Sequence, residues 1–247
     1  MSFNGIAGDF GGAAGLLEST LRPSVEISFE LRPTKPWESK LGGCPYLADA
    51  ADYPRDSEGR PMMFLAQLNL DDMPPLPDFP RTGLLQFFVG DDELYGLEEK
   101  CEVRYLAEYR REEAGLLTEN PFEAAYQGYQ PFDKAGAMLF TSAEKPITTE
   151  CEAFSERFFN KVSEEQWDAL YEICYASGCR VGGYPVFVQS SPAYYDDGEC
   201  DVLLLQLDLD DECGIMFGDS GNCTFLISRD ALQKCDFSEV EYDWQCC

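Results

Sequence analysis

The sequence predicts a mainly β fold of the α+β kind, with few short helices and two β-rich repeats that pack as one pseudo-twofold unit. Repeated patterns predict this class. A Gly-Gly-x-Pro motif at residues 42–45 and an apolar stretch with one glutamine at 64–72 return in the same order at 182–185 and 203–211. A third stretch, residues 83–89, matches residues 221–227. Self-similarity at a nearly fixed offset is typical of an internal duplication.

The domain organisation follows from these repeats. We expect a single domain over residues 1–247, with internal repeats at about 25–100 and 165–245 and a connecting segment at 101–164. An apolar content of 45% is sufficient for a sizeable core in a chain of 247 residues.

The first half of the chain predicts one helix and several strands. Residues 13–21 are rich in Gly, Ala and Leu and predict a short helix that ends before Pro23. Period-two alternation predicts a strand at 25–31. Residues 63–70 and 83–89 are too continuously apolar to be half exposed, so we expect two buried strands. The intervening segment 74–80 contains four prolines, which lack a backbone donor, and predicts a connector.

The second half begins with a weakly patterned stretch, residues 100–160, in which Val103 and Tyr105 indicate one strand. Ser163 and Gln166 fit a capping box and predict a helix to about residue 177, with Gly178 as its stop. Its predicted buried face is made of Trp167, Leu170, Tyr171 and Cys174. A second short helix at 228–234 and a final strand at 237–244 complete the chain.

The composition is strongly acidic. Acidic residues outnumber basic ones by 46 to 18, which gives a net charge of −28 and a pI near 4.1. Such a surface repels phosphate backbones and attracts basic groups, so we expect a basic protein partner and no nucleic acid. The sequence has neither a secretory signal nor an apolar run long enough to span a membrane, which predicts a cytoplasmic protein. It does not predict an oligomeric state.

The absence of histidine limits the possible chemistry. Without it, no Ser-His-Asp relay, no histidine proton shuttle and no imidazole-ligated metal can form. The eleven cysteines are odd in number and include no Cys-x-x-Cys pair, so reduced thiols are expected rather than a disulfide framework or a zinc site. We therefore predict no cofactor and no metal, and we lean toward a protein that is not an enzyme.

The candidate binding residues are two glutamines and three aspartates. Gln67 and Gln206 lie at matching positions in apolar strands, and a buried amide left unsatisfied costs roughly 1–3 kcal/mol. We expect their partners to be backbone groups of the Gly-Gly loop in the same repeat, and the alternative is a symmetric ligand site between the repeats. Asp71 and Asp210 belong to acidic clusters that suit either solvated strand ends or calcium. Asp219 lies in the sequence Gly-Asp-Ser-Gly, which predicts a turn before a strand.

These motifs resemble those of the YwqG-like family of bacterial proteins. The resemblance rests on residues 39–45, 64–70, 83–88, 182–185 and 217–221 and spans about residues 25–245. It implies a mainly β architecture of two related halves and no established reaction. This chain has Phe217 and Tyr53 where members usually have tryptophan, so a role specific to an indole nitrogen is in doubt. Some members occur beside bacterial toxin systems, which implies an immunity or related binding role.

Three functions remain open from the sequence. The leading hypothesis is a non-enzymatic binding protein that presents an acidic surface to a basic protein, such as a toxin nuclease. The rival is a small-molecule or carbohydrate-binding protein, or an enzyme, with its site between the two repeats. The third is cation binding through the aspartate clusters.

Overall fold

A computed structural model describes residues 12–98, 101–126 and 128–247 of the chain. The fold of these residues is mainly β: one antiparallel sheet of ten strands with five short α-helices. The strands are β1 Arg22–Glu30, β2 Lys40–Leu41, β3 Met63–Asn69, β4 Leu84–Val89, β5 Glu102–Leu106, β6 Gly136–Lys145, β7 Arg180–Gly182, β8 Val202–Leu207, β9 Asn222–Ile227 and β10 Glu241–Gln245. Across the sheet their order is β10-β9-β8-β7-β1-β6-β2-β3-β4-β5.

The centre of the sheet is a long ladder between β1 and β6. Nine residue pairs join the two strands, from Arg22 opposite Lys145 to Glu30 opposite Ala137. The strands on either side are much shorter. β2 pairs with β6 at two positions, and β7 pairs with β1 at three. β1 and β6 therefore extend well beyond the strands that flank them.

The sheet has two wings, β2–β5 on one side of the central ladder and β7–β10 on the other. Their local strand pairing is closely similar. Lys40 of β2 lies opposite Gln67 of β3, and Arg180 of β7 lies opposite Gln206 of β8. The register shifts once between β3 and β4, at Phe64/Ala66, and once between β8 and β9, at Leu203/Leu205. A shift of this kind is an extra residue in one strand, which bends the strand and increases its twist.

The sheet curls so that its two wings pack against each other. The rings of Phe87 on β4 and Phe225 on β9 have centroids 5.0 Å apart, although these strands belong to opposite wings. Near the two sheet ends, the Cys101 thiol lies 3.4 Å from the carbonyl oxygen of Val240. The inward side chains of both wings form one large core. Because β3, β4, β8 and β9 are buried along their whole lengths, their outer faces must also be covered.

The helices are α1 Gly12–Glu18, α2 Glu152–Phe158, α3 Glu164–Cys174, α4 Ala193–Asp196 and α5 Arg229–Gln233. The first three form a second, smaller core outside the sheet, with Tyr195 of α4 packed against it, whereas Leu232 of α5 belongs to the main core. This helical core contains Leu17, Ile147, Cys151, Phe154, Phe158, Leu170, Cys174 and Tyr184. The capping box at the start of α3 is complete, because the Ser163 and Gln166 side chains each accept a bond from the other's backbone amide.

Most of the predicted strands and helices are confirmed within a few residues. The strands at 63–70 and 83–89 are β3 and β4, and the helix at 228–234 is α5. The prediction for α3 is wrong in two respects. The helix ends at Cys174, and Tyr171, expected on the buried face, is 49% exposed. Leu31, the last residue of the strand predicted at 25–31, lies after β1 and is 43% exposed.

The weakly patterned stretch contains two elements that the sequence did not predict. β6 is ten residues long and central to the sheet, and α2 belongs to the helical core. β6 alternates poorly because only its first three residues are buried, while the rest are exposed or half-buried. Its environment changes along its length, so neither a period-two pattern nor a continuous apolar run is present.

Candidate functional site

Gln67 is fully buried on the outer face of β3, and all of its hydrogen-bonding capacity is used. Its Nε2 donates to the carbonyl oxygens of Pro36, at 2.8 Å, and Glu38, at 2.9 Å. Its Oε1 accepts from the backbone N–H of Tyr46, at 2.9 Å, and from Nε2 of Gln86, at 2.9 Å. One side chain thus ties the chain before the Gly-Gly turn to the chain after it.

Gln206 does the same on β8. Its Nε2 donates to the carbonyl oxygen of Gly178 at 2.9 Å, and its Oε1 accepts from the backbone N–H of Val186 at 2.8 Å. The prediction that both amides bond to the backbone around their own Gly-Gly loop is confirmed. Gln67 and Gln206 share no bonding partner, so the structure does not bring the two glutamines together in one site.

The glycine pairs explain why the loops can be held so tightly. Gly42 and Gly43 have φ of +58° and +73°, and Gly182 and Gly183 both have φ of +70°. Two successive residues in this left-handed region strongly favour glycine. A Cβ on Gly42 would also lie 2.7 Å from the ring of Phe132. The chain therefore turns sharply and returns over the strand that bears the glutamine.

A buried cation accompanies each glutamine. Lys40 is 2% exposed, and its Nζ donates to the carbonyl oxygens of Lys35, Pro36 and Cys44 at 2.7, 3.1 and 3.2 Å. Burial lowers the pKa of Lys40 to about 8, because the ammonium loses its hydration. The three carbonyls match its three donors, so Lys40 stabilises the same segment as Gln67.

Arg180 occupies the corresponding place beside Gln206. Its Nη2 donates to the Ser177 carbonyl oxygen at 2.7 Å, while its buried Nε and Nη1 have no hydrogen-bond partner among the described residues. Burial lowers the pKa of Arg180, and the carboxylates of Glu26 and Asp208 act in the opposite direction. The sequence analysis did not single out Lys40 or Arg180. The available signal was a cation two residues before each glycine pair.

Asp71 and Asp210 support turns at the ends of their strands. Asp71 is exposed, and its Oδ2 accepts from the backbone N–H of Gly83 at 2.9 Å. Oδ1 of Asp210 accepts from the backbone N–H of Cys213 at 2.9 Å. The described residues contain no group of three or more acidic, cysteine or histidine side chains that could hold a metal ion. Within that part of the chain, the acidic turns offer no assembled calcium site.

Asp219 lies in a turn between Phe217 and Gly221, as the Gly-Asp-Ser-Gly sequence predicts. Its carboxylate accepts from the hydroxyl of Ser220 at 3.4 Å, and both residues are exposed. All eleven cysteines fall in the described residues and are free thiols there, as expected for a reduced protein.

A groove of about 430 Å³ lies beside the first Gly-Gly turn. Its wall joins residues 32–36, before β2, to Ala135 and Gly136 at the start of β6. Lys40, Cys44, Glu113, Leu117 and Thr118 complete much of the lining. Gln67 does not line the groove, but its bonds to Pro36 and Glu38 fix the segment that does.

The groove is locally basic in an acidic protein. Arg32, Lys35 and Lys40 line it, against one lining carboxylate, that of Glu113. Lys35 Nζ lies 2.6 Å from Glu113 across the groove, and both side chains are about half exposed. Sequence reasoning missed this cluster because Glu113 is far from Lys35 along the chain and only the tertiary fold brings them together.

The chain matches one protein family, whose description names no reaction. Residues 39–246 match the family described as "Domain of unknown function (DUF1963)". The chain belongs to this family. The matched range contains both Gly-Gly turns and both buried glutamines of this DUF1963 member. No curated protein matches the chain. Among the described residues, the helices are too short or too polar for any of them to cross a bilayer.

Replacing Gln67 with leucine tests its role in holding the loops. The change leaves the Tyr46 amide, one N–H of the Gln86 side chain and the Glu38 carbonyl oxygen without their partner, while the Pro36 carbonyl keeps its bond from Lys40, so we expect the free energy of unfolding to fall by about 3 kcal/mol. Urea denaturation measures this quantity. The control is Gln233→Leu, an exposed residue bonded only to Asp78, which should change stability by less than about 0.5 kcal/mol. A loss for Gln67→Leu as small as that of the control would contradict the assignment.

Proposed function

We propose that this protein is a non-enzymatic binding protein whose acidic surface docks a basic protein partner. The observation that carries the proposal is the charge imbalance. Even if each of the 18 basic residues paired with a separate carboxylate, 46 − 18 = 28 carboxylates would remain without a cation. Complementary charge increases association rates and selects partners, and its contribution decreases as salt screens it.

A concentration of carboxylates around β10 gives this proposal a location. Glu241 lies opposite Leu226 of β9, and Asp243 lies two residues further along β10 on the same face. Cys200, next to Glu199, packs against the apolar cluster that contains Leu226, and so does Tyr194. Burial, followed by the carboxylates of Asp243 and Glu241, raises the pKa of Tyr194. We call this neighbourhood the β10 patch: Glu199, Glu241 and Asp243. A basic partner would offset the repulsion among these three carboxylates.

We further propose that the chain is a YwqG-like member of its family, that it acts in the cytoplasm and that its partner is a basic toxin nuclease. The five motifs quoted above support the family relationship. The same field that attracts a basic protein disfavours nucleic acid and anionic lipid. The family description itself names no partner.

We also propose that the two wings arose by internal duplication and are related by a pseudo-twofold axis. The strand order supports this, because β1–β5 and β6–β10 occupy mirrored places in the sheet. The bonding supports it as well. Gln67 binds Glu38 and Tyr46, and Gln206 binds Gly178 and Val186, in each case at an offset of about 140 residues. This proposal extends the first predicted repeat to include β5 and the second to include β6.

A second candidate function is small-molecule or carbohydrate binding in the groove beside Lys40. One observation favours it. The groove lies where β2 meets β6, between the two proposed repeats, and its volume of about 430 Å³ falls within the range of ligand sites. Lys35 favours an anionic ligand, which would displace Glu113, whereas Lys40 is saturated by three carbonyls and Arg32 is paired with Glu30 and Glu38.

The partner proposal is tested with charge variants that have equal net charge. The β10-patch variant is Glu199→Gln/Glu241→Gln/Asp243→Asn, and its control is Glu108→Gln/Glu112→Gln/Glu164→Gln, three exposed carboxylates elsewhere. We expect wild type to retain a basic protein from host lysate, with retention falling between about 50 and 500 mM salt. Repeating the measurement with that purified protein, the patch variant should lose more affinity than the control. Salt-insensitive binding, or equal loss in both variants, would contradict the proposal.

The groove proposal is tested by filling the cavity. Native mass spectrometry of the protein purified from its host should detect a bound small molecule, and Thr118→Trp should abolish it because the indole occupies the groove. Thr82→Trp, an exposed threonine outside the lining, is the matched control and should retain the molecule. No bound molecule in wild type, or equal occupancy in both variants, would overturn this candidate.

A further inference from the structure

Strand β6 has an open side within the sheet. On one side it pairs with β1 along nine residues. On the other side its only strand partners are Lys40 and Leu41 of β2, opposite Ala137 and Gly136. Beyond Met138, whose N–H donates to the Ser39 carbonyl oxygen at 3.1 Å, the rest of the strand has no strand partner on this side among the described residues.

The direction of the backbone groups on β6 follows from two hydrogen bonds and from the alternation of backbone groups along a strand. The Met138 amide faces the β2 side, so the N–H and C=O groups of Phe140, Ser142 and Glu144 face the same side. The other contact gives an independent check. The Ile27 amide donates to Cys179, away from β6, so the neighbouring residues of β1 face β6, where Glu26 lies opposite Thr141. Both hydrogen bonds show that the backbone N–H and C=O groups of Phe140, Ser142 and Glu144 face the open side.

This edge is accessible and lacks the usual protection. Leu139 is 47% exposed, and Thr141, Ser142 and Glu144 are exposed. Proteins normally protect an open strand edge with proline, inward charge, a bulge or a covering element. Residues 139–143, Leu-Phe-Thr-Ser-Ala, contain neither proline nor charge, and their ladder with β1 has no register shift.

We propose that the open edge of β6 binds an extended basic segment of a partner protein, which adds to the sheet as a further strand. Main-chain hydrogen bonds to Phe140, Ser142 and Glu144 give this mode its affinity, and alternate side chains give it specificity. The inference rests on the proposed function, since it takes the basic partner from there and supplies the docking mode.

Charge decides between a basic segment and a second copy of this chain. A second copy would bring another net charge of −28 to the same surface. A segment in which Lys or Arg alternates with β-branched residues has the opposite charge and favours the extended conformation. Glu144 is exposed on β6 itself, next to the backbone groups that would bind.

Hydrogen exchange tests the edge directly in the wild-type protein. The probe is an acetylated, amidated peptide of alternating lysine and valine, and the control peptide has proline in place of every second valine. At low salt we expect the first peptide to slow exchange of the Phe140, Ser142 and Glu144 amides by about tenfold or more, as hydrogen bonds form. Thr141 and Ala143, whose amides face β1, should be unaffected. Slow exchange at the three amides without peptide would overturn the proposal, because the edge would already be covered.

A proline variant supplies the second arm. Ser142→Pro removes an N–H that faces the open side and keeps every N–H that bonds to β1. Peptide affinity should therefore fall by about tenfold. The control, Ser142→Ala, should bind the peptide as wild type does. Hydrogen exchange in wild type decides the question if the proline variant does not fold. Binding of the peptide with protection elsewhere, or unchanged affinity in Ser142→Pro, would overturn the edge site and leave the basic partner standing. No binding of either peptide to wild type at low salt would count against both proposals.

Discussion

Hydrogen bonds to two buried glutamine side chains hold the loops that cover the outer face of the sheet. The inner face of each wing packs against the opposite wing, which needs only apolar side chains. The outer face has no second sheet to cover it, so loops must do so, and their backbone groups need partners. Gln67 and Gln206 supply those partners at both ends of their Gly-Gly turns. Lys40 and Arg180 bond to carbonyls in the same segments.

The candidate groove depends on the same bonds. Its wall at residues 32–36 has no regular secondary structure. Lys40 binds two carbonyl oxygens in this segment, and Gln67 also binds one of these two, that of Pro36. The groove is therefore shaped by a buried polar network rather than by apolar packing. Such a network fixes geometry because each unsatisfied member would cost free energy. A site of this kind is preformed, and the ligand does not have to order it.

Much of the wings and the central strand β1 could be predicted from the sequence, and the central strand β6 could not. β3, β4, β8 and β9 are buried on both faces, so each forms a nearly continuous apolar run. β3, β4 and β8 each contain one glutamine that needs a partner, and β9 contains Asn222 and Thr224 instead. β6 has a core-facing start and an open, half-polar remainder, so no single period describes it. The basic groove escaped prediction because Lys35 and Glu113 meet only in the folded chain. Lys40 and Arg180 escaped prediction because charged residues are rarely fully buried.

Gln67 is a structural partner of the backbone and not a free ligand-binding group. Hydrogen exchange of glutamine side-chain amides, followed by NMR, measures this property directly. We expect the two Nε2 protons of Gln67 to exchange at least about a hundredfold more slowly than those of exposed Gln233, because both are bonded to carbonyls in a buried site. Exchange of Gln67 at the rate of Gln233 would contradict it.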